Sequence, residues 1–462
     1  MAKNLPRLAR SILASILFSI APLIAVSKDS DWHVGFARAV ITPKEPVPLA
    51  GYAARSGGFD KVEQDVHVKA LALHDATGKR AVLITCELVG MSKNVAETIA
   101  RRIGETTGLR RDEILLNFSH THTGPSVALG MKPSARFPKQ DVDAIVRYSH
   151  GLVDTVVETA TAALAQKKPA VLHHAMGIVL FPVNRREFTP AGVILGFNPR
   201  GPADRSVPVL RITSPKGALL GVVFGAACHN TCLTQNDNFV CGDYAGYAQA
   251  ELEQHFKGVQ AMFMQGCGGD TSPYPTGTLA IAKAHGKHLA DVVTRVLARK
   301  RLEPVRGPLT TDLRWMDLPL EAPPTLEEIE AMSKERTAWR RQAAERLRQQ
   351  NESGDHGPAH YTAPLALWQF GGDLTLVGLP GEPVADYVML VEQALGPLNL
   401  WVAGYTNDHF GYLPTRRILA EGGYEALRGL GHGRRFAPEV EQTVIQAVAE
   451  AAAQTGRSIG PR

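Results

Sequence analysis

Five apolar runs in this chain each stop at a cluster of polar residues, and that pattern restricts the fold more than any other feature. Ile114–Phe118 runs into Ser119-His120-Thr121-His122-Thr123-Gly124-Pro125, and Val222–Ala227 runs into Cys228-His229-Asn230. Ala261–Met264 leads to Gln265-Gly266-Cys267-Gly268-Gly269-Asp270-Thr271-Ser272-Pro273. Leu374–Leu379 leads to Pro380-Gly381-Glu382, and Leu400–Gly404 leads to a segment from Tyr405 to Tyr412 that contains Asn407, Asp408 and His409. Short apolar runs bounded by Gly and Pro read as buried strands. In α/β proteins, sites form beyond the carboxyl ends of strands, where loops converge. Glycine there lets the backbone turn sharply and approach a ligand closely. One polar strand end would mean little. Five of them, bearing histidines, Asp270, Glu382 and Tyr412, predict a shared site.

The rest of the chain supplies the frame. Three hairpins are legible: Val66–His74 with Arg80–Cys86, Pro208–Thr213 with Leu219–Phe224, and Leu365–Phe370 with Leu374–Leu379. Each is a β-rich pair around a turn that contains Gly. Helical patterns cover 94–108, 141–167, 244–255, 279–299, 384–395 and 438–454. Pro438 falls at the first turn of the last, where a missing N–H does no harm. Helices alternating with strands and hairpins predict an α/β fold of mixed β-sheets flanked by helices, with the site at the C-terminal ends of strands. Pro323 to Gln350 is rich in Glu, Arg, Lys, Ala and Gln, and a polar loop follows to Gly357. It predicts a solvated helical insertion at about 323–357.

The N-terminus is a separate segment. Lys3, Arg7 and Arg10 precede an apolar run from Ser11 to Val26, and Ala25-Val26-Ser27 fits a small-x-small cleavage site. That predicts a secretory signal peptide over residues 1–27 and an exported protein, periplasmic or secreted. An uncleaved anchor is the alternative. Removing three basic residues from a formal charge of +5 leaves +2. Such a balance gives no electrostatic reason to expect nucleic acid as partner. No later apolar run is long enough to span a membrane. The five cysteines, Cys86, Cys228, Cys232, Cys241 and Cys267, contain no Cys-x-x-Cys pair. They read as buried thiols, with a Cys228–Cys241 bridge left open.

His120 and His122, two residues apart, share a face on extended chain. Neutral imidazoles plus a carboxylate are the usual set for a catalytic zinc that keeps one position open for water. His120, His229 and Glu382 would supply that set. Taken singly, each has a plainer reading as a solvated loop histidine or an ordinary turn, and no His-Glu-x-x-His motif is present.

These segments together resemble the neutral, non-lysosomal ceramidase family. The resemblance is carried by Gly35-Phe36-Ala37-Arg38-Ala39-Val40-Ile41-Thr42-Pro43, Gly51-Tyr52-Ala53, His120-Thr121-His122-Thr123-Gly124-Pro125, Asn184-Arg185 and His229. It continues through Gly269-Asp270-Thr271-Ser272-Pro273, Pro380-Gly381-Glu382, Gly411-Tyr412-Leu413-Pro414-Thr415 and Tyr424-Glu425. It implies a catalytic domain over 28–462, with zinc held by His120, His229, Glu382 and Tyr412. It implies that a zinc-activated water attacks an amide carbonyl. His122, Arg185 and Tyr424 match groups that contact substrate or assist proton transfer and oxyanion stabilisation. Asp270 and Ser272 match residues needed for activity. Family members carry a C-terminal immunoglobulin-like domain, whereas this sequence ends after one helix. Gln265-Gly266-Cys267-Gly268 also departs from the family's stretch before Gly-Asp-x-Ser-Pro.

The sequence therefore predicts a zinc-dependent hydrolase of a secondary amide, ceramide or another N-acyl compound, acting on a small-molecule or lipid-like substrate. Soluble or short-acyl substrates are expected to be turned over better than long-chain ceramide in vesicles. The alternatives are a zinc hydrolase of an ester or small polar amide, and a binding protein without catalysis on the same fold.

Overall fold

The computed structural model describes residues 31–457, apart from 135, 336–337, 354–356, 429 and 431–433. The signal-peptide reading of 1–27 lies outside the described residues.

Three parallel strand pairs organise the molecule. Arg80–Cys86 pairs with Ile114–Phe118, Leu219–Ala226 with Gln260–Gln265, and Leu374–Gly378 with Leu400–Ala403. Parallel neighbours need a crossover, usually a helix. Here the crossovers are the helices Lys93–Thr107, Asp243–His255 and Asp386–Leu395. Such units place the carboxyl ends of both strands on one side. All five of the strands singled out in the sequence lie in these three pairs.

The first two pairs form the edges of a nine-stranded sheet. Its order is Gln260–Gln265, Leu219–Ala226, Ser206–Thr213, Lys168–Ile178, Trp32–Val40, His67–Asp75, Arg80–Cys86, Ile114–Phe118, with Glu303–Val305 beside Lys168–Ile178. The third pair belongs to a four-stranded sheet with Leu309–Pro319 and His360–Phe370. The two sheets face each other across one core, in which Leu71, Leu83, Leu115, Val223 and Met262 meet Trp368, Leu376 and Trp401.

Successive strand residues point to opposite faces, so Ala70, Val82 and Ile84 pack outward on Ile99, Ile103 and Val156 of the helices Lys93–Thr107 and Lys139–Leu164. Leu365, Leu367 and Val377 of the second sheet pack outward on Tyr387, Val391, Val444 and Val448. The result is four layers: helices, sheet, sheet, helices. Burial on both faces explains why these strands read as continuous apolar runs rather than alternating ones.

The two edges of the large sheet come together at Asn117. Gln265 N–H donates to Asn117 Oδ1 at 2.9 Å, and Asn117 Nδ2 donates to the carbonyls of Gly404 at 2.8 Å and Gln265 at 3.3 Å. Gly404 N–H in turn donates to Gln265 O at 3.0 Å. One buried amide thus ties the ends of three strands from two sheets. This closure brings the polar strand ends to one place.

The segment 323–357 differs from its expected form as a single solvated helix. It is a pair, Leu326–Ser333 and Ala338–Glu352. Ile329, Met332, Ala343, Ala344 and Leu347 are buried against one another as a small separate core. Thr325 and Glu328 cap the first helix reciprocally, as a capping box does. The C-terminal helix begins at Val440, two residues after Pro438. All five cysteines are buried and unpaired. Among the described residues no helix is long and apolar enough to cross a membrane.

Candidate active site

His120 sits just past the Ile114–Phe118 strand in the left-handed region, with φ 64°. A non-glycine residue there costs about 1–3 kcal/mol and persists only where its surroundings hold it. They do so through two bonds. His120 N–H donates to Leu88 O at 2.8 Å, and Nδ1 donates to Val89 O at 2.7 Å. His229 is fixed the same way, with Nδ1 donating to Gly268 O at 2.7 Å. Glu382 and Tyr412 are direct neighbours in a two-residue parallel pairing, so their side chains leave the backbone on the same side.

These bonds settle the tautomers. A ring nitrogen that faces a carbonyl carries the hydrogen, so the neutral form of each ring has its lone pair at Nε2. Both face the same atom, Glu382 Oε2, at 3.3 and 3.1 Å. Oε2 is buried and makes no hydrogen bond. Protonating His229 would relieve the contact, but burial, followed by the nearby Arg185 charge, pushes it down to about 3. Burial also opposes ionisation of Glu382, yet His120 and the other histidines outweigh it and hold the carboxyl well below its usual range. One ring nitrogen from each histidine therefore converges on a buried carboxylate oxygen that has no hydrogen-bond partner. A cation resolves that arrangement, and the donor set of two imidazoles and a carboxylate fits one.

His122 Nε2 lies 3.1 Å from His120 Nε2. Its ring stands edge-on to Tyr52, with centroids 4.8 Å apart. Burial, then the neighbouring histidines, lowers its pKa well below the usual value, so it is neutral. Its Nδ1 is buried with no hydrogen-bond partner.

Tyr412 OH lies 3.4 Å from His229 Nε2 and accepts from Arg185 Nη2 at 2.8 Å. Burial raises the pKa of this phenol well above its usual value, although Arg185 pulls the other way. His122, Arg185, Tyr412, Tyr424 and Ser272 all line one cavity of about 610 Å³. Its rim is apolar: Leu195 is 50% and Phe197 44% exposed, and the Phe197 ring lies 4.4 Å from that of Tyr274.

Asp270 is the exception among the sequence-predicted catalytic residues. It is fully buried behind the cavity, with Oδ1 accepting from Ala385 N–H and Oδ2 from Asn184 Nδ2, each at 2.8 Å. Its carbonyl accepts from Arg185 N–H at 2.9 Å. Asp270 therefore pins the segment after Glu382 to the strand that carries Arg185. It positions these groups without reaching the cavity.

Two features escaped sequence reasoning. Glu425 accepts from Arg185 Nε at 2.9 Å and from Arg186 Nη1 at 2.7 Å. Adjacent strand residues should face opposite ways. The register shift between Asn184 and Arg186 is a bulge that turns both toward one carboxylate, as bulges do. Arg55 is the second. It donates to the carbonyls of His122 at 2.6 Å, Asp237 at 3.0 Å and Thr234 at 3.1 Å. It joins the His122 segment to the loop that follows His229. Nothing in the local sequence around Arg55 signals that role.

Fold and cluster together define an α/β protein with a metal-type site at its strand ends. The profile of the family described as neutral/alkaline non-lysosomal ceramidase, N-terminal, matches residues 32–312. The chain belongs to that family. It is 24% identical over 284 residues to neutral ceramidase A of Dictyostelium discoideum, covering 56% of this chain and 38% of that protein. It is 24% identical over 282 residues to the neutral ceramidase of Pseudomonas aeruginosa, covering 58% of this chain and 41% of that protein. The match thus spans about two fifths of these curated relatives.

The crystal structure of the Pseudomonas aeruginosa enzyme superposes with a TM-score of 0.69 at 20% identity, covering 94% of this chain and 77% of that one. A ceramidase complexed with C2 gives 0.72 at 18% identity with the same coverage. These likenesses establish the mixed-sheet fold. Two groups close enough to hold an ion share His120, one with His122 and His229 and one with Glu382 and His409, and with the family they point to a bound metal.

Proposed function

We propose that this chain is a zinc-dependent hydrolase that cleaves a secondary amide, ceramide or another N-acyl compound. The observation that carries the proposal is the convergence of His120 Nε2, His229 Nε2 and Glu382 Oε2 beside a cavity lined by His122, Arg185 and Tyr424. His120, His229 and Glu382 would hold the zinc, with Tyr412 as fourth donor. A bound zinc supplies Lewis acidity, polarising a carbonyl and lowering the pKa of a coordinated water to about 7.

Hydrolysis adds a water oxygen to the carbonyl carbon, breaks the C–N bond and delivers a proton to the leaving nitrogen. His122 is neutral and lies between the cluster and the cavity, so it can take a proton from the attacking water and pass it to the amine. Arg185 and Tyr424 are the donors for the oxyanion that develops on the carbonyl oxygen. Glu425 keeps the Arg185 guanidinium aimed, and Asp270 keeps its backbone in place. Ser272 lines the cavity and is assigned to substrate contact.

Leu195, Phe197 and Tyr274 give an acyl chain an apolar surface next to the reacting amide. This rim favours a longer acyl chain than the sequence alone suggested. The proposal takes 28–462 as one catalytic unit and 1–27 as its export signal, with a periplasmic or secreted enzyme as the result.

The test is hydrolysis across a panel of N-acyl amides and esters, with chelator-treated and zinc-restored enzyme in parallel. Amide cleavage abolished by chelation and recovered with zinc is expected. Cleavage of esters alone would move the proposal to that bond. No chelator-sensitive turnover of any compound would leave a binding protein on the same fold.

A further inference from the structure

Glu382 is approached at both carboxylate oxygens, and the outer contact comes from a residue the sequence did not predict for the site. His409 Nε2 lies 3.1 Å from Glu382 Oε1. The other oxygen, Oε2, is the one that meets His120 and His229. The terminal torsion of a glutamate side chain is broad. A carboxylate offering a metal one oxygen can therefore swing unless the second is tethered. An ionised carboxylate only accepts hydrogen bonds, so His409 Nε2 carries the hydrogen in this contact. With its hydrogen there, Nε2 supports Glu382 rather than sharing an ion with it and His120, the other role its position allows.

His409 is itself well placed. Its N–H donates to Met91 O at 2.8 Å. Its ring runs nearly parallel to that of Tyr405, at 16° with centroids 6.5 Å apart. The ring also lies over Gly90, where an added Cβ would come within 2.4 Å of the ring Cγ. A side chain at residue 90 would displace it. His409 borders a separate cavity of about 270 Å³ with Val89, Gly90 and Ala50, rather than the one that Tyr424 and Ser272 line.

We infer that His409 is a positioning residue, whose hydrogen bond to Glu382 Oε1 aims Oε2 at the metal and sets how tightly the metal is held. The inference rests on the metal reading of the site. Outer-shell partners of metal ligands typically change affinity by about 10–100-fold.

The test compares wild-type protein with His409→Ala and His409→Gln. Zinc affinity is measured by competition with a chromophoric chelator, the coordination by the visible spectrum of the cobalt(II)-loaded protein, and the fold by Tm of the metal-free protein. His409→Ala is expected to bind zinc about 10–100-fold more weakly, with an altered cobalt spectrum and an unchanged metal-free Tm. His409→Gln keeps an N–H donor and is expected to recover most of the affinity. Equal affinity and spectrum in wild-type and His409→Ala would overturn the inference. So would a loss that His409→Gln does not restore, or one matched by a lower metal-free Tm, since either marks a packing role. A wild-type protein that binds neither ion would overturn the metal reading itself.

Discussion

The strand ends around Asn117 and the helical pair Leu326–Ser333 and Ala338–Glu352 bury opposite kinds of side chain. At the strand ends Asn117, His229, Asn230, Asp270 and Thr406 are all fully buried, and the side-chain polar atoms of these five are all partnered. In the helical pair the buried side chains are apolar, and charged residues such as Glu330 and Lys334 face water. Six buried polar atoms in these segments lack a partner: Ser119 Oγ, His122 Nδ1, Glu382 Oε2, Tyr405 OH, Asn407 Nδ2 and Asp408 Oδ1; of these only Glu382 Oε2 is a carboxylate oxygen that two imidazole nitrogens face. An unsatisfied buried carboxylate oxygen costs several kcal/mol in a folded protein, so its survival signals a ligand. Among the described residues of the helical pair no buried polar side-chain atom lacks a partner.

That contrast can be broken by mutation. The largest effect is expected from His229→Ala, which removes one of three convergent donors. It should abolish zinc binding and lower kcat/KM by more than about 10³-fold, read by elemental analysis and by turnover. Full metal content in a folded variant would remove His229 from the site. His122→Ala should retain zinc and lower kcat by about 10²–10⁴-fold, the usual range for a proton-transfer group. If it loses zinc as completely as His229→Ala does, the division of roles is wrong.

A smaller effect is expected at the rim. The double variant Leu195→Ser and Phe197→Ser should leave short-acyl turnover within about twofold and reduce kcat/KM for long-acyl amides by about 10-fold, since each methylene withdrawn from apolar contact is worth about 0.8 kcal/mol. A uniform loss across chain lengths would place those residues in general packing. The smallest effect should come from deleting 327–350, which removes a region with its own core. Zinc content should be unchanged; a folded deletion protein without zinc would tie the two regions together.

The strands that end in the site were legible because burial on both faces makes them continuous apolar runs. The strands Lys168–Ile178 and Leu309–Pro319 were not. The first carries His173, His174 and an exposed Met176, and the second mixes Thr, Asp, Arg and Trp, so neither shows a clean period. His120, His229, Glu382 and Tyr412 were reachable because each stands next to a strand end. The closure that joins them was not, since it depends on Asn117 meeting Gln265 and Gly404 across 148 and 287 residues. The paired burial of Arg185 and Arg186 was hidden by a bulge that breaks strand alternation. His409 lay inside a segment already singled out, but its contact with Glu382 needs the three-dimensional approach of two strand ends.

The central claim is that a single metal sits between His120, His229 and Glu382. Anomalous diffraction from crystals of protein purified without added metal, collected on both sides of the zinc absorption edge, addresses it directly. The account predicts one strong edge-dependent peak per chain, about 2 Å from His120 Nε2, His229 Nε2 and Glu382 Oε2. An active preparation with no peak at that point, or with its only peak elsewhere, would contradict it.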